Sequence, residues 1–219
     1  MHRAEKGGWS AEELGGKIRL ETQTPDSSKA AEKDPRPLSK LIPKQGILYT
    51  YRLIAPDSLH DGDDRLWIDL GFQVHRRIPS GTRGFKEGDI AESFRGDTGA
   101  YSIAVSRRTK DDLFTYKAFV ERVVDADTLI VKIDLGFENR IRQYLRLRGI
   151  DAPELSTEAG RKAKAFVERE LAKAPHVLLT SSRSDKYDRY LADVFYEKEP
   201  GQELYLNQLL LDQGLAERM

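Results

Sequence analysis

Val124-Asp125-Ala126-Asp127-Thr128-Leu129-Ile130-Val131-Lys132-Ile133-Asp134-Leu135-Gly136-Phe137 is the stretch whose reading decides the fold. It opens as a turn, because Asp side chains satisfy backbone N–H groups there. Leu129, Val131, Ile133 and Leu135 then alternate with Ile130, Lys132, Asp134 and Gly136, the period of a half-buried strand. Downstream, Ile141, Leu145 and Leu147 alternate with Arg142, Tyr144, Arg146 and Arg148, which predicts a second strand. The period then changes. Ala159, Ala163, Phe166, Val167 and Leu171 follow helical spacing, with Ser156 or Thr157 as N-cap and Glu158 in the first turn. Val177–Thr180 and Leu191–Tyr196 read as strands. A last helix, about Leu204 to Gln213, stops at Gly214, a favourable residue just past a helix end. From Phe114 the order is three strands, helix, two strands, helix. That order predicts a mainly β protein with helices, built on a five-stranded Greek-key barrel of the OB type.

Upstream the chain divides further. Residues 1–44 are polar and rich in charge, Pro and Ser, and carry too little apolar surface to offset the entropy of ordering. They predict a flexible tail with at most a short helix near Ser10-Ala11-Glu12-Glu13-Leu14. Residues 45–113 read as a small, noncatalytic, β-barrel-like module. Leu66, Ile68, Leu70, Phe72 and Val74 alternate with Trp67, Asp69, Gly71 and Gln73 as one strand, and Ile47–Ile54 and Ala100–Val105 are further strands. Residues 114–219 form the second module. The two modules share a five-residue string: Ile68-Asp69-Leu70-Gly71-Phe72 recurs as Ile133-Asp134-Leu135-Gly136-Phe137. An acidic turn precedes each, Asp61-Gly62-Asp63-Asp64 and Asp125-Ala126-Asp127-Thr128. Either two strands have converged on one turn chemistry, or the first module is a degenerate copy of the barrel.

Composition excludes several classes. The 219 residues carry 36 Lys+Arg and 36 Asp+Glu, a formal net charge of zero, unlike a protein that coats nucleic acid by charge alone. There is no cysteine, which removes disulfides, zinc ribbons and thiol catalysis. The four histidines are scattered, so a metal would be a hard cation held by oxygen. The N-terminus has no apolar run behind it and no stretch has the length of a membrane span, so the expected compartment is the cytoplasm. A secreted protein whose signal had been removed would read the same way.

Three clusters in the second module bear on chemistry: Asp125-Ala126-Asp127-Thr128; Arg146-Leu147-Arg148-Gly149-Ile150-Asp151-Ala152-Pro153-Glu154; and Asp185-Lys186-Tyr187-Asp188-Arg189. Singly, each has an ordinary explanation as a turn, the solvated face of a strand, or a polar loop. Asp125 onward does not make an EF-hand, since no acid or amide follows at Leu129 and the required Gly is missing. Taken together, in this order and spacing, the clusters resemble the staphylococcal nuclease (thermonuclease) family over about residues 114–219, and Gln213-Gly214-Leu215-Ala216 resembles its ending.

The resemblance implies a calcium-dependent endonuclease acting on DNA and/or RNA, single-stranded or frayed, and leaving 5′-hydroxyl and 3′-phosphate ends. It implies that Asp127, Asp151 and the backbone carbonyl of Ala152 bind Ca²⁺. It makes Glu154 the residue that orients or deprotonates water, Arg146 and Arg189 the clamp on the phosphate, and Lys186 and Tyr187 contacts to a neighbouring phosphate. These residue types suit the chemistry. A phosphodiester is anionic and gathers charge in its transition state, so a cation and forked guanidinium donors stabilise it. The chain departs from the family pattern at Ala126 and Asp188, where the family has Gly, and at Ala152, where it has Thr. Ala126 would be strained if its φ were positive, and Asp188 would place a carboxylate beside Arg189. The alternative is a catalytically weak or dead module of the same fold that binds nucleic acid or a protein partner.

Overall fold

The computed structural model describes residues 40–56, 65–184 and 190–219. The expected tail helix at 10–14, the acidic segment 61–64, and Lys186, Tyr187, Asp188 and Arg189 lie outside the described residues.

Five short strands come first: β1 (Thr50–Ile54), β2 (Trp67–Asp69), β3 (His75–Arg77), β4 (Ile90–Arg95) and β5 (Tyr101–Val105). They form one sheet in the order β3-β2-β1-β4-β5. A capped 3-10 turn at Lys110–Asp112 leads into β6 (Thr115–Asp125), β7 (Thr128–Gly136) and β8 (Asn139–Leu147). A two-residue strand, β9 (Ile150–Asp151), precedes α1 (Glu158–Leu171). Then come β10 (Val177–Ser184), β11 (Tyr190–Glu199), β12 (Gln202–Tyr205), α2 (Leu206–Asp212) and β13 (Glu217–Arg218). Strands run β10-β6-β7-β8-β11, and β10 also pairs with β11, so five strands close into a ring. The β8–β11 pairing is parallel and the other pairings of the ring are antiparallel. This is the expected barrel, with β12 added at the side of β11.

The capping signals act as predicted. Thr157 is the N-cap of α1, and its hydroxyl accepts from the Gly160 N–H at 2.9 Å. Ala163, Val167 and Leu171 are buried along one face of the helix, matching the helical period in the sequence. Gly214 takes φ +64°, and the N–H groups of Gly214 and Leu215 reach back to the carbonyls of Leu211 and Leu210, both at 2.9 Å. α2 begins two residues later than expected, because β12 keeps the chain extended through Tyr205.

One strand needs correction. The alternation from Leu66 to Val74 predicts a single strand, but β2 ends at Asp69 and β3 begins at His75. Gly71, Phe72 and Gln73 all have positive φ, at 80°, 53° and 61°. The Asp69 carboxylate accepts from the Gly71 N–H at 2.9 Å, and the Leu70 N–H donates to the Val74 carbonyl at 2.9 Å. Phe72 still finds apolar neighbours, its ring 5.1 Å from Tyr116 and 4.5 Å from Tyr190. Ile68, Leu70 and Phe72 therefore find apolar surroundings although the backbone reverses, and apolar periodicity does not reveal the turn.

The second copy of the string makes the same turn. Gly136, Phe137 and Glu138 have φ of 82°, 51° and 66°, and Asp134 accepts from the Gly136 N–H at 3.0 Å. The strand order of the first sheet, β3-β2-β1-β4-β5, is also that of β8-β7-β6-β10-β11 in the barrel. Shared order and shared turn together favour a degenerate copy over convergence. The first sheet is open: among the described residues β3 and β5 do not pair, and no counterpart of α1 lies between β3 and β4. Leu53, Ile68 and Leu70 of the half-barrel join Leu129, Val131, Ile133, Leu145 and Leu147 of the barrel in one buried cluster. Among the described residues, no helix is long and apolar enough to cross a membrane.

Candidate active site

The β6–β7 turn and the end of β8 meet at one mouth of the barrel, because Thr128 pairs in register with Arg146. Asp127 is only 3% exposed. One carboxylate oxygen accepts from the Thr128 hydroxyl at 3.0 Å; the other accepts from the Ala152 N–H at 3.0 Å and from Arg146 at 2.9 Å. The second guanidinium nitrogen of Arg146 donates to Asp151. The Leu147 N–H donates to the Asp127 carbonyl at 2.8 Å, which fixes the turn to the strand end. Three sequence-distant segments, 125–128, 146–147 and 151–152, thus form one hydrogen-bonded cluster.

The electrostatics of the cluster are lopsided. Burial pushes the Asp127 carboxyl above the usual aspartate range; the Asp125 carboxylate beside it acts the same way, while the Ala152 N–H and Arg146 oppose the shift. One Asp125 oxygen is buried with no hydrogen-bond partner. Two carboxylates, Asp127 and Asp151, thus share one guanidinium, and the orphaned oxygen belongs to Asp125 beside Asp127. That donor set is all oxygen and has an excess of negative charge, which fits a hard divalent cation. Arg146 bridges two of the carboxylates, so the guanidinium holds the place of a positive charge. Among the described residues, no group of three acidic or histidine side chains is drawn together as a ready-made metal cage.

Asp151 owes its position to β9, which pairs with β13 through Asp151 and Glu217. Glu154 is exposed at the end of the loop. Its carbonyl accepts from the Thr157 N–H at 2.9 Å and the Thr157 hydroxyl at 2.7 Å, so the helix cap also anchors this loop. Gly160 lies directly beneath. A Cβ there would overlap the Glu154 carbonyl and come within 2.6 Å of the Pro153 carbonyl. The structure therefore brings together Asp127, Arg146, Asp151 and Ala152, and holds Glu154 on the adjoining loop. Lys186, Tyr187 and Arg189 lie outside the described residues. Ala126 is not among the residues of positive φ, and its methyl is buried at 1% exposure, so alanine sits in this turn without strain.

Residue-by-residue reading gave no role to Asn207 or Gly160. Asn207 is fully buried. It accepts from the Val194 N–H at 3.1 Å and donates to the carbonyls of Arg148 at 3.1 Å and Ala192 at 3.0 Å. It ties the strand end that carries Arg146 to β11. A signal existed in the sequence, since Asn207 stands three and four residues before Leu210 and Leu211, on the apolar face of its helix.

Five strands close into a barrel, and Asp127, Arg146 and Asp151 gather at one mouth. Residues 144–219 match the family described as staphylococcal nuclease homologue. The matched stretch contains Arg146, Asp151, Ala152 and Glu154, and Asp127 lies upstream of it. No curated protein matches the chain.

Proposed function

We propose that the barrel, residues 114–219, is a calcium-dependent nuclease that hydrolyses phosphodiester bonds in DNA and/or RNA and leaves 5′-hydroxyl and 3′-phosphate ends. The observation that carries this reading is the cluster of Asp127, Arg146 and Asp151, set beside the Ala152–Glu154 loop; residues 144–219, which hold all of these but Asp127, match the nuclease family. Residues 45–113 are its noncatalytic companion and 1–44 a tail. The cytoplasm is the proposed compartment.

Asp127, Asp151 and the Ala152 carbonyl would hold the cation, which when bound supplies positive charge to the phosphoryl oxygens and to the attacking water. Glu154 takes the proton from that water as its oxygen bonds to phosphorus. The bond from phosphorus to the 5′ oxygen breaks, and that oxygen takes up a proton as the 5′-hydroxyl. Arg146 is freed from one carboxylate to donate to the phosphoryl oxygens, and its fixed charge makes it a donor at any working pH. Arg189 has the second clamp position, on the strength of the motif alone.

The test is cleavage of a fluorogenic oligonucleotide with Ca²⁺, then with excess chelator. Cleavage that persists in chelator removes the metal from the mechanism. Absence of cleavage under both conditions, with oligonucleotide binding retained, favours the binding-only alternative. That alternative has one observation on its side: Arg146 is engaged by two carboxylates.

A further inference from the structure

We infer that the outer face of β7 and β8 is a track for one polynucleotide strand, leading away from Arg146 along the barrel wall. The inference rests on the nuclease reading for its starting point. On β8, Arg140, Arg142, Tyr144 and Arg146 stand on one face, and Ile141, Gln143, Leu145 and Leu147 turn the other way. In register on β7, Lys132 lies opposite Arg142, and Phe119 of β6 lies opposite Lys132. Two aromatic rings are open to solvent on this wall, Tyr144 at 43% and Phe119 at 41% exposure. Glu121 answers part of the positive charge, pairing with Lys132 at 2.9 Å and Arg142 at 2.6 Å. Those two cations remain 61% and 55% exposed, within reach of a further anion.

The row does not end in open solvent. Arg140 lines a cavity of about 520 Å³ together with Tyr49, Tyr101 and Arg95. Its size is in the range of small-ligand sites. It holds two rings, the guanidinium groups of Arg140 and Arg95 and the carboxylates of Asp134 and Glu138, the last paired with Arg95 at 2.9 Å, at the end of the β7–β8 hairpin opposite the catalytic mouth. From Arg146 to Arg140 the strand rises roughly 20 Å, a length that suits the several nucleotides an OB fold covers. Exposed rings set among cations match a single strand, whose bases are free to stack while its phosphates meet arginine. A duplex keeps its bases paired inside and would leave the rings without partners. A net-neutral chain can hold such a track because the charge is local.

The experiment measures anisotropy of labelled oligonucleotides of about twelve nucleotides, DNA and RNA separately, on the full chain in chelator so that nothing is cut. The triple variant Arg140→Ala, Arg142→Ala, Tyr144→Ala is expected to bind at least about tenfold more weakly. Its dependence of log affinity on log salt should be shallower by about 1.4, two phosphate contacts at about 0.7 each. Unchanged affinity and slope overturn the track. Because Tyr144 pairs across from the buried Ile130, the wild-type chain is also photocrosslinked to 5-iodouracil oligonucleotides. Crosslinks at Tyr144 or Phe119 support the track, and crosslinks confined to other elements overturn it. Duplex of the same length, or polyglutamate, competing as well as the single strand also overturns it. A wild-type chain that binds in this way but never cuts with Ca²⁺ refutes the nuclease reading and not the track. A chain that cuts while its triple variant binds normally refutes the track alone.

Discussion

The Tyr116 hydroxyl donates to the Leu70 carbonyl at 3.0 Å, and the Tyr51 hydroxyl donates to the Leu135 carbonyl at the same distance. Each module thus inserts a tyrosine into the Ile-Asp-Leu-Gly-Phe turn of the other. The exchange is reciprocal, as in an isologous interface between two equal subunits, but here it lies within one chain. It gives the half-barrel a structural reason to persist, since it closes over a turn that the barrel would otherwise expose.

That exchange predicts a specific non-additivity. Tyr51→Phe leaves the Leu135 carbonyl buried without its partner, at a cost of about 1–2 kcal/mol. Gly136→Ala places a Cβ on the Tyr51 hydroxyl at a φ of +82°, costing roughly 1–3 kcal/mol from overpacking and backbone strain. In the double variant the overlapping oxygen is gone. Its loss of stability in urea melts should be smaller than the sum of the singles by about 1 kcal/mol. Strict additivity would mean that the hydroxyl and the glycine do not share the site.

Gly160→Ala decides between two effects of opposite sign. Alanine in a helix is ordinarily favoured over glycine by about 1 kcal/mol. Here the added carbon meets the carbonyls of Pro153 and Glu154, which are backbone and cannot swing aside. The expected result is lower stability and a fall in cleavage rate larger than the fall in stability explains, because the Glu154 loop moves. A raised melting temperature with normal cleavage would show that the loop is not seated on this glycine.

Much of the barrel was legible because its signals are local. The strand period of β7 and β8, the Thr157 cap and the Gly214 stop depend on neighbours a few residues apart, and the structure keeps all three. The turn at Gly71–Gln73 was not legible, since Leu70 and Phe72 find burial across a reversal and so mimic a strand. The exchange of Tyr51 and Tyr116 depends on partners 84 and 46 residues away, which no window sees. The site was partly legible. The motifs pointed to Asp127, Arg146 and Asp151, but not to Arg146 bridging the other two, nor to Asn207 holding the strand end.

Asn207→Ala should cost about 2–3 kcal/mol, because it strands a buried N–H and removes the donor to two carbonyls. The loss should exceed that of an exposed helix position such as Asp212→Ala, and cleavage should fall with it, since Arg148 is two residues from Arg146. Equal effects at the two positions in urea melts would remove Asn207 from this role.

Glu170 predicts the acid limb of stability. Burial raises its carboxyl, but hydrogen bonds from Lys198 at 3.0 Å and Tyr196 at 2.8 Å outweigh that and hold it below the usual 4.5. A carboxyl depressed in the folded state stabilises above its unfolded value, and the contribution fades as pH falls through the folded one. Glu170→Gln should therefore be less stable than the wild type near neutrality. The gap should narrow below pH 4.5 in urea melts taken across the acid range. A gap independent of pH would assign the loss to packing and not to charge.

Arg146 and an added cation call on the same carboxylates, which yields the last prediction. Arg146→Met keeps the length of the side chain and deletes its charge. In chelator, Asp127 then loses its cation in a site where its side chain is 4% exposed, and removing one partner of a buried pair costs up to about 3–5 kcal/mol. The loss should fall short of that ceiling, because Asp151 is 64% exposed and remains hydrated. With Ca²⁺ the order should tighten. A ligand that binds only the folded state raises the melting temperature in proportion to its affinity, and without the guanidinium the cation meets less competition. The shift produced by Ca²⁺ should therefore be larger in Arg146→Met than in the wild type, even though cleavage is lost. Equal shifts would mean that the cation does not use Asp127 and Asp151. No shift in either protein would leave the cluster as a purely structural ion pair.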